Sequence, residues 1–156
     1  MKILFTYSDK TQEGFESKVP LTTSTIEDGS VEEIVVVEGV LERVPSLVDF
    51  VEELYRLLKM SGTVSVTSKH YGSAAAWFNP YAVRGISEYS LNFSSKDWRV
   101  GNKWTEGIVK ANFNISGSFT CHESCLVRNE SARQFWLERY MNVAQAVLFT
   151  MIKLEP

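Results

Sequence analysis

The stretch from residue 31 to residue 67 constrains this chain most. Ile34-Val35-Val36-Val37 is an unbroken β-branched run, the composition of a strand covered on both faces, as in a parallel sheet. After Pro45-Ser46, the residues Leu47, Phe50, Val51, Leu54, Leu57 and Leu58 recur at the spacing of one face of an amphipathic helix. Ser46 suits the N-cap and Asp49 the first turn, while Lys59 and Gly62 read as stop signals. Thr63-Val64-Ser65-Val66-Thr67 predicts a second strand. Strand, helix and strand in this span make a βαβ unit, whose crossover is right-handed.

The flanking segments extend the sheet. Lys2 to Thr6 predicts an opening strand, and residues 8–30 a loose, polar region punctuated by Gly14, Pro20 and Gly29. Residues 72–105 predict short helices and an ordered cap around Trp77, Trp98 and Trp104. Val109, Ala111, Phe113 and Ile115 alternate with polar residues, the period of a half-exposed strand. Ser131 to Met141 predicts a helix with Phe135, Trp136 and Tyr140 turned inward, and Ala146 to Leu154 a closing strand antiparallel to its neighbour. The expectation is one domain over residues 1–156: an α/β chain with a mostly parallel sheet, an antiparallel C-terminal strand pair and helices packed on the sheet.

Composition narrows the function classes. The 156 residues are 44% hydrophobic and 22% charged, with a net charge of −3, which suits a globular core rather than a disordered chain. Residues 1–60 carry 6 basic and 12 acidic side chains, residues 61–156 carry 10 and 7. Binding of nucleic acid by the whole chain is therefore not expected; a weaker reading places it on Lys96, Arg99, Lys103 and Lys110. No apolar run approaches membrane-spanning length, and the N-terminus turns polar too soon for a signal peptide. A cytoplasmic location is expected, without a disulfide framework. The sequons at Asn92, Asn114 and Asn129 are then coincidental.

Open α/β sheets bind ligands beyond the carboxyl ends of their parallel strands. Those ends bring in Glu38-Gly39 after the first strand of the unit and Ser68-Lys69-His70-Tyr71 after the second. Glu38, Glu42, His70 and Tyr71 are the polar lining this predicts. His70 is the one obvious general base, against the commoner use of a lone histidine in structure. Cys121-His122-Glu123-Ser124-Cys125 reads as a turn with two ordinary thiols rather than a zinc site, which needs four ligands; no metal is expected. The Walker A, G-x-G-x-x-G, H-E-x-x-H and G-x-S-x-G patterns are all absent.

Glu38-Gly39-Val40-Leu41-Glu42-Arg43-Val44, followed by Tyr55-Arg56-Leu57-Leu58-Lys59-Met60-Ser61-Gly62, resembles the class I S-adenosylmethionine (SAM)-dependent methyltransferases. That family reads h-V-L-E-H-v after its fourth strand and y-R-V-L-K-P-G-G before its fifth. His70-Tyr71-Gly72-Ser73, Asn79-Pro80 and Arg84-Gly85 resemble a bacterial and phage branch that reads P-H-Y-x-S and later D-P-T-H-x-R-G. The likeness is good over residues 30–90. It implies a Rossmann-like sheet, with cofactor-holding positions at Tyr7, Ser8, Asp9, Glu16 and Glu38 and a substrate cleft near Glu42, Tyr71, Asn79 and Arg84.

The chain departs from that family where SAM would be held. The glycine loop that admits the cofactor reads Phe5-Thr6-Tyr7-Ser8, and a Cβ at each position hinders such an approach. Only 19 residues separate Gly14 from Ile34, too few for the family's second and third strands with their helices. Asn79-Pro80-Tyr81-Ala82 replaces D-P-T-H, and Arg43 stands in place of a histidine. These departures imply a shortened, degenerate methyltransferase-like protein with no cofactor, serving as a binding or structural module for a protein partner or a second copy of itself. A phage-type accessory protein, in the host cytoplasm or on the virion, fits such a remnant. The alternative is a minimal active methyltransferase that binds SAM.

Overall fold

The computed structural model describes every residue except 9, 10, 21, 105–108, 127 and 128. Its β-strands are β1 (Lys2–Phe5), β2 (Glu16–Lys18), β3 (Val31–Val36), β4 (Leu58–Lys69), β5 (Phe113–Cys121) and β6 (Ala144–Lys153). They form one sheet in the order β2-β1-β3-β4-β6-β5. The pairs among β2, β1, β3 and β4 are parallel, and β6 runs antiparallel to both β4 and β5. This is the mixed sheet the sequence predicts. The β-branched run of β3 lies at its centre, with Val31, Ile34 and Val36 fully buried.

The helix between β3 and β4 is α1 (Leu47–Leu57), and the Ser46 hydroxyl accepts the Asp49 N–H as its N-cap. Phe50, Val51, Leu54 and Leu57 bury its apolar stripe. Phe50 meets Phe5 edge-on at 5.4 Å, and Tyr55 meets Phe113 in the same way. The helix end is held from β6: Lys153 Nζ donates to the carbonyls of Tyr55 and Leu58, each at 2.7 Å, supplying partners that a helix C-terminus otherwise lacks.

Several boundaries differ from the sequence expectation. Leu58 opens β4 instead of ending α1, and Lys59 and Gly62 lie within the strand. From Val31↔Leu58 to Glu33↔Thr63, β3 advances two residues while β4 advances five, so β4 bulges out there. A Cβ on Gly62 would stand 2.9 Å from the Lys59 carbonyl, so this glycine marks a tight bulge rather than a helix stop. The loose region contains β2, a three-residue strand formed on the edge of β1. Val109 and Ala111 precede β5: the N–H groups of Lys110 and Ala111 both donate to Glu52 Oε1 rather than to a strand. Cys121 lies in β5 and not in a turn.

The remaining helices are α2 (Lys96–Gly101), α3 (Glu123–Leu126) and α4 (Glu130–Arg139). Phe135 and Tyr140 are about half exposed, against the inward placement expected for them, while Trp136 is half-buried. Trp98 and Trp104 pack edge to face, and Trp104 also meets Phe93. No helix among the described residues is long and apolar enough to cross a membrane.

Candidate functional site at the strand tips

The carboxyl ends of β1, β3 and β4 open into a cleft of about 270 Å³, lined by Thr6, Tyr7, Ser8, Glu38, Gly39, Glu42, Arg43, Lys69, Ala76 and Asn79. Tyr7, Ser8, Glu38, Glu42 and Asn79 are thus brought together, Glu38 and Glu42 having been named by the topology and Tyr7, Ser8 and Asn79 by the resemblance. Each strand tip contributes differently. After β1, the Thr6 hydroxyl oxygen accepts the Ser8 N–H at 3.0 Å, which folds the chain into a side-chain-closed turn where a glycine loop would leave open backbone. After β3, Glu38 faces Lys69 from the end of β4, with Oε1 and Nζ 3.5 Å apart.

Glu42 is 4% exposed. Its Oε1 accepts the Ser68 hydroxyl at 2.8 Å and the Lys69 N–H at 3.0 Å. Its Oε2 is buried and has no hydrogen-bond partner among the described residues. The segment carrying Glu42 is fixed by Arg84, whose guanidinium donates to the carbonyls of Leu41, Val44 and Pro45. Arg84 therefore lies behind the cleft and positions it. Asn79 Oδ1 accepts the Tyr81 N–H at 3.0 Å and sets the turn that carries Tyr81. Between these elements the Arg43 guanidinium sits 4.1 Å from the Tyr7 ring centroid and 5.1 Å from that of Tyr81, a cation held against two aromatic faces.

His70 and Tyr71 lie elsewhere. They line a separate hollow of about 160 Å³ with Gly72, Arg139, Tyr140, Met141 and Ala144. Successive residues of an extended strand point to opposite sides, so Lys69 enters the strand-tip cleft and His70 turns away from it. His70 is 7% exposed. Its Nδ1 accepts the Gly72 N–H at 3.0 Å, and its Nε2 stands 3.3 Å from Glu88 Oε2. Nδ1 thus serves as an acceptor, and Nε2 faces the Glu88 carboxylate. Both nitrogens have structural partners.

Glu16 opens β2 in register with Ile3, and its carboxylate pairs with Lys18 at 2.6 Å. The residue at the carboxyl end of β2, beside Phe5, is Lys18. Glu16 does not line the cleft. Asp9 lies outside the described residues. Three of the four basic side chains singled out for nucleic acid line one groove with carboxylates, and Lys103 lies outside it. Lys96, Arg99 and Lys110 share a groove with Asp28, Asp49, Glu52 and Glu53, and Arg99 is committed to the Phe93 and Ala111 carbonyls. Among the described residues, no three His, Cys, Asp or Glu side chains gather as a metal set. Burial pushes the Cys121 thiol above its ordinary pKa, with Cys125 beside it adding to the shift, so Cys121 is not activated as a thiolate.

Lys69, Thr6, Arg43 and Tyr81 belong to this site, although reasoning from the sequence did not select them as its lining. For Lys69 the signal was available in strand parity. For Tyr81 it was not, because the 71–90 segment has no periodicity.

Two strand tips differ from the cofactor-holding pattern that the resemblance implies. The residue at the tip of β2 is Lys18, and at the tip of β1 the Thr6 hydroxyl closes the turn.

No family model matches the chain, and no curated protein is significantly similar to it in sequence. Solved structures are similar in fold. A SAM-dependent methyltransferase from Archaeoglobus fulgidus superposes with a TM-score of 0.59 at 14% identity, over 89% of this chain and 67% of that one. A putative SAM-dependent methyltransferase from Listeria monocytogenes gives 0.54 at 13% identity, over 99% and 81%. The [4+2]-cyclase SpnF gives 0.54 at 14% identity, over 91% and 58%. At such identities the likeness is one of architecture, and what this chain shares with these proteins is the Rossmann-like fold of SAM-dependent methyltransferases.

Proposed function

We propose that this chain is a methyltransferase-fold binding module that does not transfer methyl groups and that serves through contact with protein. The observation that carries this reading is the Tyr7–Arg43–Tyr81 stack, which bridges the strand tips where a cofactor would enter. The closed Thr6 turn, the Lys69–Glu38 pair and Lys18 at the end of β2 agree with it. Beside the cleft, Trp77, Phe78, Tyr81 and Val83 are exposed, Phe78 by 78%. Exposed apolar side chains this close in sequence suit contact with another protein.

Calorimetry of the full chain with SAM, and in parallel with S-adenosylhomocysteine, tests the reading. The expected result is no heat of binding at high ligand concentration. Binding in the micromolar range would overturn the proposal and put a minimal methyltransferase in its place.

A further inference from the structure

The two edges of the sheet are built differently. The β2 edge is three residues long and carries Glu16 and Lys18, which is how exposed edges are normally guarded against pairing. The β5 edge has nine residues, Phe113-Asn114-Ile115-Ser116-Gly117-Ser118-Phe119-Thr120-Cys121, with no charge and no proline. Among the described residues β5 pairs only with β6 and has no strand on its outer side. In an antiparallel ladder, alternate residues of such a strand direct their N–H and C=O groups away from the single neighbour. A long, uncharged edge of this kind is a template for another strand.

The sequence of β5 says which strand fits. It is nearly symmetric about Gly117. Antiparallel pairing of two copies centred there sets Ser116 opposite Ser118, Ile115 opposite Phe119, Asn114 opposite Thr120 and Phe113 opposite Cys121. Polar residues meet polar residues on one face and apolar residues meet apolar ones on the other, the pairings that stabilise a sheet. Asn114, Ser116, Ser118 and Thr120 are all exposed. A groove of about 430 Å³ runs beside the strand, lined by Glu88, Tyr89, Asn92, Ile115, Gly117, Ser118 and Phe119. Glu88, the charged member of that lining, has its carboxylate beside His70. Tyr89, in that lining, is 68% exposed.

We infer that β5 is a self-pairing edge, and that two copies join through it, antiparallel about Gly117, into one continuous sheet. Such an interface is isologous, the same patch serving both copies. It names the partner for the reading of the chain as an interaction module. Its test reads mass and not ligand binding, so either proposal can fail alone.

Sedimentation equilibrium of the full chain is expected to give twice the 17.7 kDa chain mass. The double variant Ser116→Lys/Ser118→Lys sets like charges opposite each other across the two-fold axis, and its mass should halve. Ser116→Glu/Ser118→Glu should do the same. Mixing the two variants places Glu opposite Lys and should restore a 1:1 dimer, a recovery that misfolded chains cannot show. On the unaltered chain, hydrogen exchange at residues 114–120 should slow as concentration rises. A monomeric unaltered chain, dimeric variants, or a mixture that stays monomeric would each overturn the inference.

Discussion

Glu42 joins the ends of two neighbouring strands to each other: its Oε1 accepts both the Ser68 hydroxyl, at 2.8 Å, and the Lys69 backbone N–H, at 3.0 Å. The residue that sequence reading placed in the cleft lining thus also holds the tip of β4 to the segment after β3. Glu42→Ala leaves a buried hydroxyl and an N–H without their acceptor and should lower stability by about 2–3 kcal/mol. Glu42→Gln keeps an oxygen for both donors, and its cost should stay near 1 kcal/mol. Urea denaturation of the two variants, at equal m-value, measures the difference. Equal losses would show that the charge, not the acceptor, is what matters.

His70 behaves as an Asx-like anchor, since its Nδ1 accepts the N–H two residues on, at Gly72. His70→Ala should destabilise the fold by about 2 kcal/mol through the unsatisfied N–H and the lost ring packing. His70→Asn should recover part of that loss, because an Asn side chain readily accepts the N–H two residues on. Thermal melts of the three proteins give the order unaltered, Asn, Ala. If Asn is no better than Ala, the hydrogen bond is not what His70 supplies.

The βαβ unit was readable because Ile34, Val36, Phe50, Leu54, Val64 and Val66 obey clean periods and end in the core. What periodicity could not show arises from tertiary contacts. β2 has no apolar alternation and exists by pairing with β1. The β4 bulge places Ser61 at a φ of 60°, a left-handed conformation that its residue type does not announce. Phe135 and Tyr140 looked like core by residue type, and their exposure is set by how α4 lies. In the candidate site, the strand-end rule named Glu38, Glu42 and His70, of which Glu38 and Glu42 line the cleft and His70 lines a separate hollow. Topology names the loop, and strand parity selects the side chain.

Arg56 fastens the 23–28 segment to α1. Its guanidinium donates to Glu53, to Asp28, to the Ile26 carbonyl at 2.9 Å and to the Thr23 carbonyl at 3.1 Å. A lysine cannot reproduce this planar fork. Arg56→Lys should therefore behave nearly as Arg56→Ala, each losing about 2 kcal/mol, between the values of surface and buried ion pairs. Limited proteolysis should detect earlier cleavage near residues 23–28 in both. Full stability in Arg56→Lys would mean that charge alone holds the segment.

Glu53 makes this clasp sensitive to acid. Its hydrogen bond from Arg56, and next the one from Thr23, hold its carboxyl below the ordinary value of 4.5 despite partial burial. A carboxyl with a lower pKa when folded binds fewer protons than it does in the unfolded chain. Stability therefore rises with pH through this range. The contribution is complete above the ordinary glutamate pKa and fades as pH falls below 4.5, through the folded value. Urea midpoints measured from pH 7 down to pH 3 should decline over that interval. In Glu53→Gln the decline should be shallower, since the titrating group is gone and only the other carboxylates remain. Identical slopes in the two proteins would mean that the acid sensitivity lies elsewhere and that the Glu53–Arg56 pair contributes equally at every pH.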